Sequence, residues 1–213
     1  MTKFVIVRHG QSEANLGEIY AGRFDAPLTD LGKQQARLVT DYVLKTYRVD
    51  AVYASPLSRA KETVRAIAES VDTPLLCKEG LSEIYGGKWE RMRFQEIAEK
   101  YPQDALVWAT DIGKARPTGG ESFAEVQQRA DKAFREIATE NEGKTVVVGV
   151  HGGVIRSMQC IFEGQPIERM QQVPWVANSS VSEVDFDGQK YIPVMLGYTG
   201  HLGSLITNLA EMK

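Results

Sequence analysis

The stretch Lys3-Phe-Val-Ile-Val-Arg-His-Gly10 decides the fold class. From Phe4 to Val7 it is continuously apolar and mostly β-branched, as a strand reads when both of its faces are buried in a parallel sheet. It then ends abruptly on Arg8-His9-Gly10. The same grammar returns twice. Ala51-Val-Tyr-Ala54 precedes Ser55-Pro56 and an amphipathic helix from about Leu57 to Ser70, and Thr145-Val-Val-Val-Gly-Val150 precedes His151-Gly152-Gly153 and an apolar helix to about Phe162. Three strand, turn and helix units predict an α/β sheet.

Between the first two units, Asp30 to Lys45 carries Leu31, Leu38, Tyr42 and Val43 mostly at helical spacing, with Thr29 as its cap, and fits a crossover helix. A further helix, Ser122 to Thr139, places Phe123, Val126, Ala130, Phe134 and Ile137 on one face, with Ser122 and Glu125 spaced as a capping box. Asp187-Gly188 between Ser180–Phe186 and Lys190–Leu196 is a hairpin signal, expected to finish one edge of the sheet. From about 86 to 120 the character changes to helical patches with Trp89, Trp108, many charges and the turn-rich exit Arg116-Pro-Thr-Gly-Gly120. It reads as a lid-like insertion in one domain spanning 1–213.

A chain of 213 residues suits one sizeable core. The net charge of -3 gives no field suited to nucleic acid or an anionic membrane, so an anion site must be a local gathering of cations. The two cysteines, Cys77 and Cys160, lie far apart in apolar stretches, which argues against a disulfide framework or a thiolate metal cluster and fits a reducing cytoplasm. No run approaches the ~20 apolar residues of a membrane span, and Phe4–Val7 is too short for a signal-sequence core. A soluble cytoplasmic protein is expected, with monomer and homodimer both open.

In open α/β sheets, ligands gather beyond the carboxyl ends of the strands, where N–H groups at helix starts hold anions. This chain delivers Arg8-His9-Gly10, Arg59 and His151-Gly152-Gly153 there. A single histidine after a strand is usually a hydrogen-bonded structural residue. Two of only three histidines and two arginines converging on one sheet edge need a common reason, and phosphoryl transfer supplies it. A neutral imidazole of His9 can attack phosphorus if its other nitrogen donates to a backbone carbonyl, while Arg8, Arg59 and a protonated His151 grip the oxygens. An acid must serve the leaving group, and Glu79, Glu83 and Glu90 in the segment 78–91 are candidates that spacing does not separate.

Val7-Arg-His-Gly-Gln-Ser-Glu-Ala-Asn15 resembles the opening signature of the histidine phosphatase superfamily, also called phosphoglycerate mutase-like. The resemblance continues through Ala21–Ala36, Ser55-Pro-Leu-Ser-Arg-Ala-Lys-Glu-Thr63 and Gly149-Val-His-Gly-Gly153, most of the chain. It implies a three-layer α/β/α sandwich with a mostly parallel central sheet and no metal or other cofactor. It also implies His9 as the phosphorylated residue, Arg8, Arg59 and His151 as the rest of the phosphate pocket, and Glu83 as general acid and base. Asn15 is expected to add a donor, with Ser12, Gly22, Arg23 and Gly152 lining the substrate site. One departure stands out: Glu90 is followed by Arg91 where many phosphatases have glycine, so the loop is expected to turn less freely and to carry a cation at the mouth.

After Glu83 the chain reads Ile-Tyr-Gly-Gly-Lys-Trp, unlike the histidine-tyrosine-glycine form of the mutases, and it lacks their longer tail. A phosphatase acting on a small phosphorylated substrate is therefore preferred to a cofactor-dependent phosphoglycerate mutase. A non-catalytic phosphate binder ranks below both, because no pocket residue is missing. Specificity is expected from Trp89, Arg91, Arg93, Trp108, Lys114 and Arg116, and His201 is expected to cap the tail rather than wall the site.

Overall fold

The computed structural model describes residues 1–207. In chain order the elements are β1 (Thr2–Arg8), a short α1 (Glu13–Leu16), α2 (Asp30–Thr46), β2 (Ala51–Ala54), α3 (Ser58–Ser70), β3 (Leu75–Cys77), α4 (Phe94–Lys100), α5 (Pro102–Thr110), α6 (Phe123–Glu140), β4 (Thr145–Val150), α7 (Gly152–Phe162), β5 (Val181–Phe186) and β6 (Tyr191–Tyr198). They form one six-stranded sheet in the order β3-β2-β4-β1-β5-β6. Pairing is parallel from β3 to β1, and antiparallel where the β5–β6 hairpin joins as the far edge. The opposite edge, β3, comes from a segment legible in sequence only as a short apolar run.

The unbroken apolar strands are explained by two cores. Phe4 and Ile6 of β1 and Val146, Val148 and Val150 of β4 face α6 and α7, while Val5, Val7 and Val147 face α2 and α3. Period-two side chains pack against helices on both sides, which gives the expected sandwich. β1 and β4 are neighbours in register from Lys3↔Thr145 to Arg8↔Val150. The chain leaves β1 toward one helical layer and leaves β4 toward the other. The crevice between their ends is the switch point where such sheets bind ligands.

The caps at Thr29 and Ser122 form as expected, the second as a full capping box. The buried face of α2 does not match expectation. Gly32, Gln35, Ala36, Val39, Thr40 and Val43 are buried, and Leu31, Leu38 and Tyr42 stand only half-buried at the flanks. The cause is close approach to the loop after β1, since a Cβ on Gly32 would collide with the Gln11 carbonyl, and one on Gly10 would lie 2.5 Å from the Gly32 oxygen. Small residues face inward because backbone meets backbone there. Among the described residues no helix is long and apolar enough to cross a membrane.

Candidate active site

A cavity of about 690 Å³ opens over the ends of β1 and β4, in the size range of small-molecule sites. Arg8, the last residue of β1, is 1% exposed, and its Nη1 donates to the Val176 carbonyl. His9 follows in the loop, 4% exposed, with Nδ1 2.7 Å from the Gly10 carbonyl. That contact puts the His9 proton on Nδ1 and leaves Nε2 with its lone pair. Arg59, in the first turn of α3, donates to the Gly22 carbonyl at 2.8 Å and the Phe24 carbonyl at 2.9 Å. His151 caps α7, fully buried, with Nε2 2.7 Å from Ser55 Oγ and its ring centroid 5.2 Å from that of His9. Arg8 Nε, Arg59 Nε and His151 Nδ1 are buried without a protein partner. They are three of nine such atoms among the described residues, and it is their gathering around His9 that points to a ligand.

Burial first, then the Arg59 and Arg8 guanidiniums, hold His9 well below the ordinary histidine range; burial, Arg59 and His9 do the same for His151. Both rings are therefore neutral near pH 7 in the free protein, and a protonated His151 is not what the fold sets up. Burial brings Arg8 down to about 10 and lowers Arg59, with Glu83 opposing both shifts.

Glu83 lies beside these cations. Its Oε1 accepts from the Ile84 N–H at 2.9 Å and its Oε2 from the Gly153 N–H at 3.2 Å. A Cβ on residue 153 would sit 2.5 Å from Glu83 Oε1, so Gly153 makes room for the carboxyl group, and Gly152 lines the cavity beside it. Neither of the other two glutamates lines the cavity. Glu90 accepts from the Arg23 and Gly86 N–H groups and pins the loop, and Glu79 is exposed. The segment carrying Glu83 is itself held by Arg129 of α6, which donates to the carbonyls of Gly80, Ser82 and Glu83 and to both oxygens of Glu121. Glu121 in turn accepts from the Tyr85 N–H.

The remaining expected residues divide. Gly22 lines the cavity and gives its carbonyl to Arg59. Ser12 is the cap of α1; its N–H and hydroxyl both donate to Asn15 Oδ1 at 3.1 Å, so it orients Asn15. Asn178 Nδ2 also donates to that oxygen, turning the Asn15 amide nitrogen to the cavity. Arg23 turns away from the cavity, pairing with Glu121 at 3.0 Å. Arg116 pairs with Glu125 and Lys114 with Asp111, Arg93 is exposed, and Trp89 is fully buried beside Tyr20. Of the six insertion residues expected to meet substrate, only Trp108 lines the cavity among the described residues. Arg91 adopts a left-handed φ of 69° and stacks its guanidinium 4.3 Å from the Phe24 ring centre. The loop thus turns without the glycine, and the cation is spent on a ring face.

Sequence reasoning missed the segment 170–178. Arg156 of α7, 5% exposed, donates to the Val173, Met170 and Gln171 carbonyls and lies 4.5 Å from the Trp175 ring centre, and both residues line the cavity. Thr63 was missed as well; its hydroxyl oxygen accepts from the Gly10 N–H at 3.0 Å. A ring of hydrogen bonds also encircles the loop that carries His9. The Gln11 N–H donates to Gln35 Oε1, Gln35 Nε2 donates to the Leu205 carbonyl and Thr207 Oγ1, Thr207 Oγ1 donates to Asn178 Oδ1, and Asn178 Nδ2 donates to the His9 carbonyl. His201 donates to the Ser179 carbonyl and stacks on Tyr42, as a structural residue would.

The model of the histidine phosphatase superfamily (branch 1) matches residues 4–199. The chain belongs to the histidine phosphatase superfamily. It is 32% identical over 203 residues to phosphoserine phosphatase 1 of Hydrogenobacter thermophilus, covering 95% of each chain. It is 30% identical over 207 residues to a metal-independent phosphoserine phosphatase of Arabidopsis thaliana, covering 96% of this chain and 85% of that one. Among solved structures, Bacillus stearothermophilus YhfR superposes with a TM-score of 0.90 at 29% identity, over 95% of this chain and 100% of that one.

Proposed function

We propose that this protein is a metal-independent phosphatase that hydrolyses small phosphate monoesters through a phosphohistidine on His9. The observation that carries the reading is the set of three buried donor nitrogens without protein partners, on Arg8, Arg59 and His151, around the neutral His9 ring. A phosphoryl group brings the oxygens they lack. His9 Nε2 attacks phosphorus as the bond to the leaving oxygen breaks, and Glu83 gives that oxygen its proton. Glu83, now a carboxylate, takes a proton from water as water attacks the phosphohistidine, releasing phosphate and restoring His9. Asn15 and the N–H groups that open α7 add neutral donors. Phe94, Trp108, Ile84 and Trp175 line the same cavity and offer an apolar surface to the alcohol portion of the ester. Residues 86–120 serve as the lid-like cover of a single domain, and the two free cysteines suit the cytoplasm.

A screen of phosphate monoesters tests this reading, with a phosphoglycerate mutase assay run beside it in the presence and absence of bisphosphoglycerate. Hydrolysis, with a phosphohistidine trapped by acid-free quenching, is expected. Interconversion of phosphoglycerates faster than hydrolysis would replace the phosphatase by a mutase, and neither turnover nor trapped phosphohistidine would leave a phosphate binder.

A further inference from the structure

We propose that Ser55 is a positioning residue that fixes the tautomer of His151, so that His9 presents a bare ring nitrogen and His151 a protonated one to the same phosphoryl group. The proposal rests on the phosphatase reading above. Ser55 leaves β2 fully buried, and its oxygen has two neighbours: the Leu57 N–H, which donates to it at 3.3 Å, and His151 Nε2 at 2.7 Å. The Leu57 N–H cannot accept, so among the described residues His151 Nε2 is the acceptor within reach of the hydroxyl proton. An imidazole that accepts at Nε2 carries its own proton on Nδ1. That Nδ1 is buried without a protein partner, and a phosphoryl oxygen completes it.

His9 is the reverse case. Its Nδ1–H is spent on the Gly10 carbonyl, so Nε2 offers a lone pair. One ring supplies the nucleophile and the other a donor, 5.2 Å apart. The surrounding charged and titratable groups, Arg59, His9, Arg129 and Arg8, oppose a second proton on His151. Its capacity to donate therefore depends on which nitrogen holds the single proton, and Ser55 makes that choice. The opposite tautomer would aim a lone pair at a phosphoryl oxygen and leave the serine proton without an acceptor.

Nitrogen-15 NMR of the ring nitrogens tests this directly. The chain has only three histidines, and single His9→Gln and His201→Gln variants assign them. In the parent protein His151 is expected to show a protonated Nδ1 and a bare Nε2. Ser55→Ala is expected to scramble that pattern and to lower kcat roughly tenfold or more with KM little changed, and Ser55→Thr to restore both. A parent spectrum with the proton on Nε2 overturns the proposal, and so does a Ser55→Ala protein with scrambled tautomers and parental kcat. The parent spectrum decides even if Ser55→Ala does not fold. Failure of the phosphatase reading shows separately, as a parent protein that hydrolyses no monoester.

Discussion

The His9 end of the cavity hangs on strand ends and helix starts of the central sheet, whereas the Glu83 end hangs on side chains that reach across from α6 and the turn before it. At the first, β1 sets Arg8 and His9, β4 sets His151, and the opening turn of α3 sets Arg59. At the second, a loop without regular structure is held by Arg129 through three carbonyls and by Glu121 through the Tyr85 N–H. Position in the first half follows from the sheet. In the second it depends on a few replaceable hydrogen bonds, so substitutions should separate the two.

The largest effect is expected at the sheet-borne half. His9→Ala should lower turnover at least ~10⁴-fold with an unchanged fold, because neighbouring strands still build the pocket; circular dichroism and steady-state kinetics check both points. Residual turnover near the parent rate would move the nucleophile elsewhere. Glu83→Gln should cost about 10²- to 10⁴-fold on alkyl phosphates and far less on an activated aryl phosphate, whose leaving group needs no proton. Equal losses on both would assign the acid to another residue. Arg129→Met should reproduce that leaving-group dependence in weaker form, about 10- to 100-fold on alkyl esters, while phosphohistidine formation from the aryl ester stays close to parental. A loss of the same size on both esters would mean that Arg129 serves the phosphate half instead.

The smallest effect concerns pH. His9 and His151 are held below the ordinary histidine range in the folded state. As pH falls below about 6.5, the unfolded chain binds protons that the folded chain refuses, so stability falls by up to ~1.4 kcal/mol per pH unit for each such group. Thermal melts across pH 7.5 to 5 should show this slope, and His9→Gln should flatten it. A melting temperature independent of pH in that window would mean that the rings accept protons in the fold.

Much of the sheet-borne half was legible in the sequence, because uninterrupted β-branched runs ending in Arg-His-Gly and His-Gly-Gly carry both the strand and its functional end. The buried face of α2 was not, since periodicity ranks side chains by hydrophobicity and says nothing of the close backbone contact that selects Gly32 and Ala36. Arg129, Arg156 and Asn178 were missed for a related reason. Their partners are mostly backbone carbonyls, which every residue has, so no motif marks the pairing. The sequence places Arg23, Lys114 and Arg116 at the substrate because the carboxylates that occupy them, on Glu121, Asp111 and Glu125, are assigned only by folding. Arg91 shows that a glycine position can be filled by a residue that recovers part of the conformational cost on a nearby ring.

The ring of hydrogen bonds through Gln11, Gln35, Thr207, Asn178 and the His9 carbonyl ties residues 205–207 to the loop that carries His9. Among the described residues, a protease nick or a genetic truncation just before Leu205 would remove no cavity-lining side chain, yet it would untie the loop that holds His9. Trimming there is expected to lower turnover from outside the cavity, and shortened versions prepared for crystals or fusions should keep Leu205 to Thr207.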